Sequence, residues 1–259
     1  MASFTGNSIK DVYKDILHTS NSNTGIGSTI KQIACGDGDT TALHLSDRNL
    51  KVQPSTDSTS NTVIYDKDGN ALLAVDSTND LVKAGIGQHT VNTQYAQFGA
   101  ASSDAAMLAG RHYAIAYNHS AYEVGLLMGT GTNPDTSLSI STTAHEVVNH
   151  YWFIMDNITI DRVVWWSGAD QASGDTTRCH LMSYDVDTGN GSTGGDLSNG
   201  VVLADGSDVT NAGYEQIYYQ QMTVQSANVN AGKVILFTFV SDSVSSDYSI
   251  NATVKYHLR

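Results

Sequence analysis

The chain has 259 residues, of which 40% are hydrophobic and 15% charged, with a formal net charge of −13. Of its 26 acids 23 are Asp, and 95 positions are Ser, Thr, Asn or Gly. Glu favours helix interiors whereas Asp favours caps and turns, so a mainly helical protein is excluded. The acid excess also argues against nucleic acid as a partner, which needs clustered Lys and Arg. In chain order, the first periodic segment is Ile9, Val12, Tyr13, Ile16 and Leu17, with apolar residues at i, i+3, i+4, i+7 and i+8. That spacing predicts a short amphipathic helix, with Ser8 as its N-cap and Asp11 in its first turn. About ten residues are too few for a helix stable alone in water. Its stripe is expected to dock on its own domain or on a partner chain.

Residues 40–85 follow as short hairpins. Ala42 to Val52 is similar to Leu72 to Lys83, each reading as strand, Asp/Ser/Asn turn, strand. Asp68-Gly69 marks a further turn between them. Isolated hairpins are marginal in water, so these are expected to be covered in a homo-oligomer. A small-residue stretch, Gly99-Ala100-Ala101-Ser102-Ser103-Asp104, predicts a boundary. It divides the chain into an N-terminal region, 1–100, and a second domain, 101–259. Charge divides with it, since residues 1–100 hold 7 bases and 10 acids while 101–259 hold 6 bases and 16 acids.

The second half reads as about ten short strands with turns between them, at 111–118, 121–129, 136–143, 146–155, 157–166, 178–186, 200–204, 214–224, 233–240 and 248–258. Tyr248, Ile250, Ala252, Val254, Tyr256 and Leu258 alternate with polar residues, the pattern of a half-buried antiparallel strand. Lys233–Val240 is apolar on both faces, which places it in the centre of a sandwich or beneath a neighbouring subunit. The expected fold is therefore mainly β: a short N-terminal helix, a small hairpin region, then an antiparallel β-sandwich of jelly-roll type.

Motifs with chemistry are mismatched. His145 and His150 stand five apart, whereas a zinc-protease helix needs four. Gly189-Asn190-Gly191-Ser192-Thr193-Gly194 matches a dinucleotide loop, but another loop follows where a helix is required. Asp185, Asp187 and Asp196 offer oxygen donors for Ca²⁺ without the spacing of a calcium loop. Asp37, Asp39, Asp66 and Asp68 sit beside glycines as turn formers. Cys35 and Cys179 form no CxxC motif. No apolar run reaches the ~20 residues of a membrane span, and Met1 to Asp11 has no signal-peptide core. The chain is expected to be no enzyme, to need no metal or cofactor, and to have neither nucleic acid nor membrane as partner. Consecutive strand residues point to opposite faces, so one of Trp165 and Trp166 lies outside the sandwich core. With Tyr218 and Tyr219 they are the candidate ligand or interface aromatics.

The segment Ala71 to Lys83, with its Val75-Asp76 and Asn79, resembles the hairpins of tailed-bacteriophage fibre and appendage proteins. Thr40 to Ser46 and the Ile9–Leu17 segment are similar to virion proteins of marine phages. That resemblance implies a homotrimer whose N-terminal region anchors to capsid, tail or adaptor proteins of the particle. A β-rich head then faces outward. No heptad or collagen-like shaft is present, which favours a short fibre, a spike or a capsid-decorating protein. Ile9, Val12, Tyr13, Ile16 and Leu17 are the expected anchor, and the virion is the expected location. The alternatives are a carbohydrate-binding sandwich recognising host-surface glycan and, third, a glycan-degrading enzyme whose carboxylate pair is drawn from Glu123, Glu146, Glu215 and the many Asp.

Overall fold

The computed structural model describes residues 16–19, 24–87, 89–102, 109–118, 125–130, 145–170, 173–189, 191–213, 216–242 and 247–259. The chain is mainly β and divides into two compact units, Met1–Val91 and Asn92–Arg259. The division falls before the expected boundary, because residues 93–102 form a strand of the second unit. Their Gly and Ala content reflects packing: Ala96, Phe98 and Ala100 are buried there. The expected helix over Ile9–Leu17 lies outside the described residues except at its end. Ile16 and Leu17 carry no helical structure, and Leu17 is exposed.

The N-terminal unit holds two four-stranded antiparallel sheets. The first runs in order β1 (His18–Thr19), β2 (Lys31–Ala34), β3 (Thr40–Leu45), β4 (Leu50–Val52). The second runs β5 (Thr62–Tyr65), β6 (Ala71–Asp76), β7 (Leu81–Ala84), β8 (His89–Thr90). The strands β2-β3-β4 recur as β5-β6-β7. The repeat is therefore larger than the single hairpin read from sequence. The closing pairs are Leu45 with Leu50 and Asp76 with Leu81.

Turn chemistry recurs as well. Cys35 N–H donates to Asp39 O, and Asp66 N–H to Asn70 O, with a glycine at positive φ inside each turn, Gly38 at 97° and Gly69 at 85°. L-residues rarely adopt that conformation. Asp66 Oδ2 accepts from Asn70 Nδ2 (2.9 Å) and its Oδ1 from the N–H of Asn70 (2.8 Å) and Asp68 (2.9 Å), which together hold its carboxyl below the usual range. Ser46 Oγ accepts from Asn49 N–H (2.9 Å), and Asp76 Oδ1 from Asn79 N–H (3.0 Å). Such side-chain-to-backbone bonds define the turns in which Asp, Ser and Asn are favoured. Asp76 also takes Lys83 Nζ at 2.7 Å, and Lys83 with Asn79 holds its pKa down at about 2.

The C-terminal unit is a flattened, nearly closed barrel of antiparallel strands. One layer has the order β17 (Gln216–Gln221), β13 (Ile158–Asp170), β21 (Asp247–Leu258), β9 (Thr93–Ser102). The other has β10 (Arg111–Tyr117), β20 (Lys233–Ser241), β14 (Thr176–Val186), β15 (Leu197–Asp205), β18 (Thr223–Val224). Around these lie β11 (Leu126–Thr130), β12 (Trp152–Phe153), β16 (Val209–Thr210) and β19 (Asn228–Val229). Two corners join the layers. Tyr117 at the end of β10 pairs with Phe98 of β9. On the far side the chain passes from β17 to β18 through Met222, whose N–H donates to Val163 O. The eight long strands pair in nested fashion, β9 with β21, β10 with β20, β13 with β17 and β14 with β15. This unit folds as one long hairpin rolled upon itself.

The inward residues are those the alternation demands. Ile250, Ala252 and Val254 of β21 meet Ile235, Phe237 and Phe239 of β20 across the layers. Val234, Leu236 and Val240, on the other face of β20, are also buried. On that face Val234 and Leu236 join a second apolar cluster with Met182 and Tyr184 of the paired strand β14 and Met128 of β11, against which Tyr151 packs. So β20 is central between β10 and β14, and its two apolar faces need no neighbouring subunit. This removes one of the two grounds for expecting a trimer.

Other expectations are adjusted locally. His145–His150 is a 3₁₀ helix, and only Trp152–Phe153 of the expected strand 146–155 is extended. The expected strand 136–143 lies outside the described residues. β13 and β15 run longer than expected, because their polar residues face solvent across paired strands.

Candidate functional site

The outward face of the β17-β13-β21-β9 layer carries the exposed aromatics. Trp165 points inward and is fully buried, its Nε1 donating to Gln220 Oε1 at 3.2 Å. Its neighbour Trp166 is 49% exposed. β17 sets Tyr219 opposite Trp166, with ring centroids 4.8 Å apart and planes at 54°. Tyr219 is 47% exposed, and its hydroxyl accepts from Arg162 Nη2 at 3.0 Å. On the other side Trp166 pairs with Asn251, which pairs with Gly99. The next row brings Gln221, Val164, Thr253 and Gln97 into line, and the row beyond it Arg162, Lys255 and Tyr95.

Tyr218 faces the other way and does a different job. Its hydroxyl accepts from Ala212 N–H (2.7 Å) and donates to Asn211 Oδ1 (2.9 Å), pinning the approach to β17. Of the four aromatics singled out in the sequence, Trp166 and Tyr219 are brought together at the surface. Trp165 belongs to the core and Tyr218 to a turn. Ile9, Val12 and Tyr13 of the expected anchor lie outside the described residues, Ile16 is half-buried and Leu17 exposed.

A second aromatic group was missed. Tyr117, Trp152 and Tyr256 come from three separate strands and line a cleft of about 480 Å³. Tyr117 stacks on Trp152 at 5.9 Å with planes 9° apart, and Tyr256 meets Trp152 at 4.8 Å. Tyr256 Oη donates to Gln94 Oε1 at 2.8 Å. Burial pushes both tyrosine hydroxyls above their ordinary pKa. No local signal identifies this group, since only strand pairing joins it.

The oxygen-rich sequences are occupied by structure. Asp185 is paired with Lys233 and accepts from Asn199 Nδ2 at 2.8 Å. Asp187 accepts from Gly189 N–H and Thr193 Oγ1, both at 2.8 Å. These partners hold both carboxyls below the usual range. Cys35, Asp37 and Asp39 converge on one exposed turn, with Cys35 Sγ donating to Asp37 Oδ1 at 2.6 Å. The equivalent turn of the second sheet carries Asp66, Asp68 and Asn70, so turn geometry accounts for the convergence. Cys179 is fully buried, and burial raises its thiol pKa well above normal, which removes the thiolate needed for reactivity. A polar cleft of about 180 Å³ beside Arg178 is internally matched: Asp242 takes Thr176 N–H and Oγ1, both at 2.6 Å.

A buried histidine pair lies on the outer face of the second layer. His112 and His180 are 5.3 Å apart by ring centroid, and both are almost fully buried. His180 Nε2 is 3.2 Å from Asp205 Oδ1 but makes no hydrogen bond there. Asp205 is instead held by Arg178, through Nη2 at 2.7 Å and Nε at 3.1 Å. Burial first, and repulsion by His112 second, pull the His180 pKa down to about 3.

No protein-family model matches the chain, and no curated protein matches it. A solved structure of infectious bursal disease virus, Gx strain, superposes weakly, with a TM-score of 0.32 and 11% identity. The match covers 98% of this chain and 48% of that one, so the chain spans about half the length of that viral protein chain.

Proposed function

We propose that the chain is a structural protein of a bacteriophage particle: a homotrimeric short fibre, spike or capsid-decorating appendage without catalytic activity. Its N-terminal unit joins copies to one another and to capsid, tail or adaptor proteins. Its C-terminal unit is an outward jelly-roll head. One observation carries this reading. Among the described residues of the N-terminal unit only Ile33, Ala34, Ala74 and Asp76 are buried. Two thin sheets with so small a core cannot offset their own ordering entropy.

Their apolar side chains are meanwhile exposed. Ile64 and Val82 share one face of the second sheet with Leu73 and Val75, and they are 53% and 38% exposed. Leu50, Tyr65 and Leu72 add to the uncovered surface. Contiguous apolar faces of this kind are covered in assemblies. The hairpins that resemble phage appendage proteins are these same strands, and in that resemblance the covering partners are symmetry copies.

Nested pairing of the eight long strands supports the jelly-roll reading of the head, an architecture common in capsid and lectin domains. Fold does not dictate function, so the test is biochemical. Quantitative mass spectrometry of purified particles of the encoding phage is expected to find the chain in a copy number divisible by three. Its absence from washed particles overturns the proposal.

A further inference from the structure

We propose that the cleft lined by Tyr117, Trp152 and Tyr256 binds a neutral oligosaccharide. This site stands whether or not the chain belongs to a virus particle. The cleft, of about 480 Å³, falls within the ~300–1,000 Å³ of small-ligand sites, which combine apolar walls with a few placed polar groups. The C-terminal unit builds it alone: Gln94 comes from β9, Tyr117 from β10, Trp152 and Phe153 from β12, and Tyr256 from β21. Both tyrosine rings pack on Trp152, at 5.9 Å and 4.8 Å, so this wall is ordered before a ligand arrives. Beside it Phe153 is 50% exposed and offers a ring to the C–H face of a pyranose.

The polar groups of the cleft set its chemistry. Gln94 and Asp156 are exposed there, and Tyr117 and Tyr256 are half-buried. Gln94 Oε1 accepts from Tyr256 Oη at 2.8 Å, which leaves the Nε2 of Gln94 to donate to a ligand, while the Asp156 carboxylate accepts. A sugar hydroxyl both donates and accepts, so adjacent hydroxyls satisfy both groups. The described residues lining the cleft include that one carboxylate and no Lys, Arg or His, which turns away uronic and sulfated sugars by repulsion. An organic cation would meet Asp156 but offer no acceptor to the Gln94 amide. An acyl chain would cover Asp156 and Gln94 without hydrogen-bonding either, which is costly.

The test is titration calorimetry of the full chain with maltohexaose, cellohexaose, chitohexaose and mannohexaose, with hexagalacturonate as the anionic control. The expected result is binding of at least one neutral sugar and none of hexagalacturonate. F153A and D156A are each expected to weaken that binding about tenfold, with melting temperature unchanged because both side chains are exposed. W166A, on the outward sheet face, is expected to bind as the parent does. Failure of all four neutral sugars, equal binding of hexagalacturonate, parental binding by both cleft variants, or loss of binding in W166A overturns the proposal. So does a fall in the light-scattering mass of F153A, which would make the cleft a subunit contact.

Discussion

Replacing Phe237 with alanine is expected to destabilise the C-terminal unit by about 3–5 kcal/mol. The side chain is fully buried on the central strand β20, and its ring lies 5.8 Å from that of Phe98 in the opposite layer. It therefore bridges the two layers near their middle. Deletion leaves a cavity that β20 cannot close, since it is fixed by β10 on one side and β14 on the other. For a domain of this size the loss corresponds to a fall in melting temperature on the order of 10 °C. Scanning calorimetry reads it directly, and an unchanged transition would show that Phe237 is not a core residue.

Acid is expected to weaken the same unit well above the pH at which carboxylates titrate. The folded-state pKa of His180 is pulled down to about 3 from an ordinary 6.5. As pH drops below 6.5 the unfolded chain takes up a proton that the folded chain refuses. Its stabilising contribution is whole above that pH and is lost progressively down to about 3, by up to about 1.4 kcal/mol per pH unit. The groups that face His180 are His112 and Arg178, which repel its proton, and Asp205, which attracts it. Asp205 is already committed to Arg178, so its attraction does not restore the site. Urea midpoints measured from pH 7 to pH 4 are expected to fall steadily, and H180Q to flatten the slope. A parental slope in H180Q would assign the acid sensitivity elsewhere.

Much of the head was legible because antiparallel strands with one dry face write a period of two. β21 is the clearest case, and the opposite fates of Trp165 and Trp166 follow from the same rule. Turn positions were legible because Asp, Asn and Ser bond their own backbone, as Asp66 and Asp76 do. Illegible features depend on residues distant in sequence. The outer face of β20 is covered by Met128, Met182 and Tyr151, and no window around Lys233 contains them. Gly99 and Ala100 read as a linker because small residues occur both in loops and in a strand pressed between two others.

Strand pairing sets Leu45 of the first sheet in the place of Asp76 of the second, each closing its hairpin. The exposed apolar face of Ile64 and Val82 depends on cross-strand pairing of three strands, which no single segment displays. At the candidate site, Trp166 and Tyr219 were visible singly. Arg162, Lys255, Asn251 and Gln97 were not, because cross-strand register alone sets them beside the rings.

Self-association through the N-terminal unit is the centre of this account, and multi-angle light scattering of the full chain at micromolar concentration tests it most directly. The expected mass is three times the 27.6 kDa of one chain. The double variant I64D/V82D is expected to fall to a single chain while its head retains its melting transition. A parent protein that elutes as a stable, soluble monomer would contradict the account.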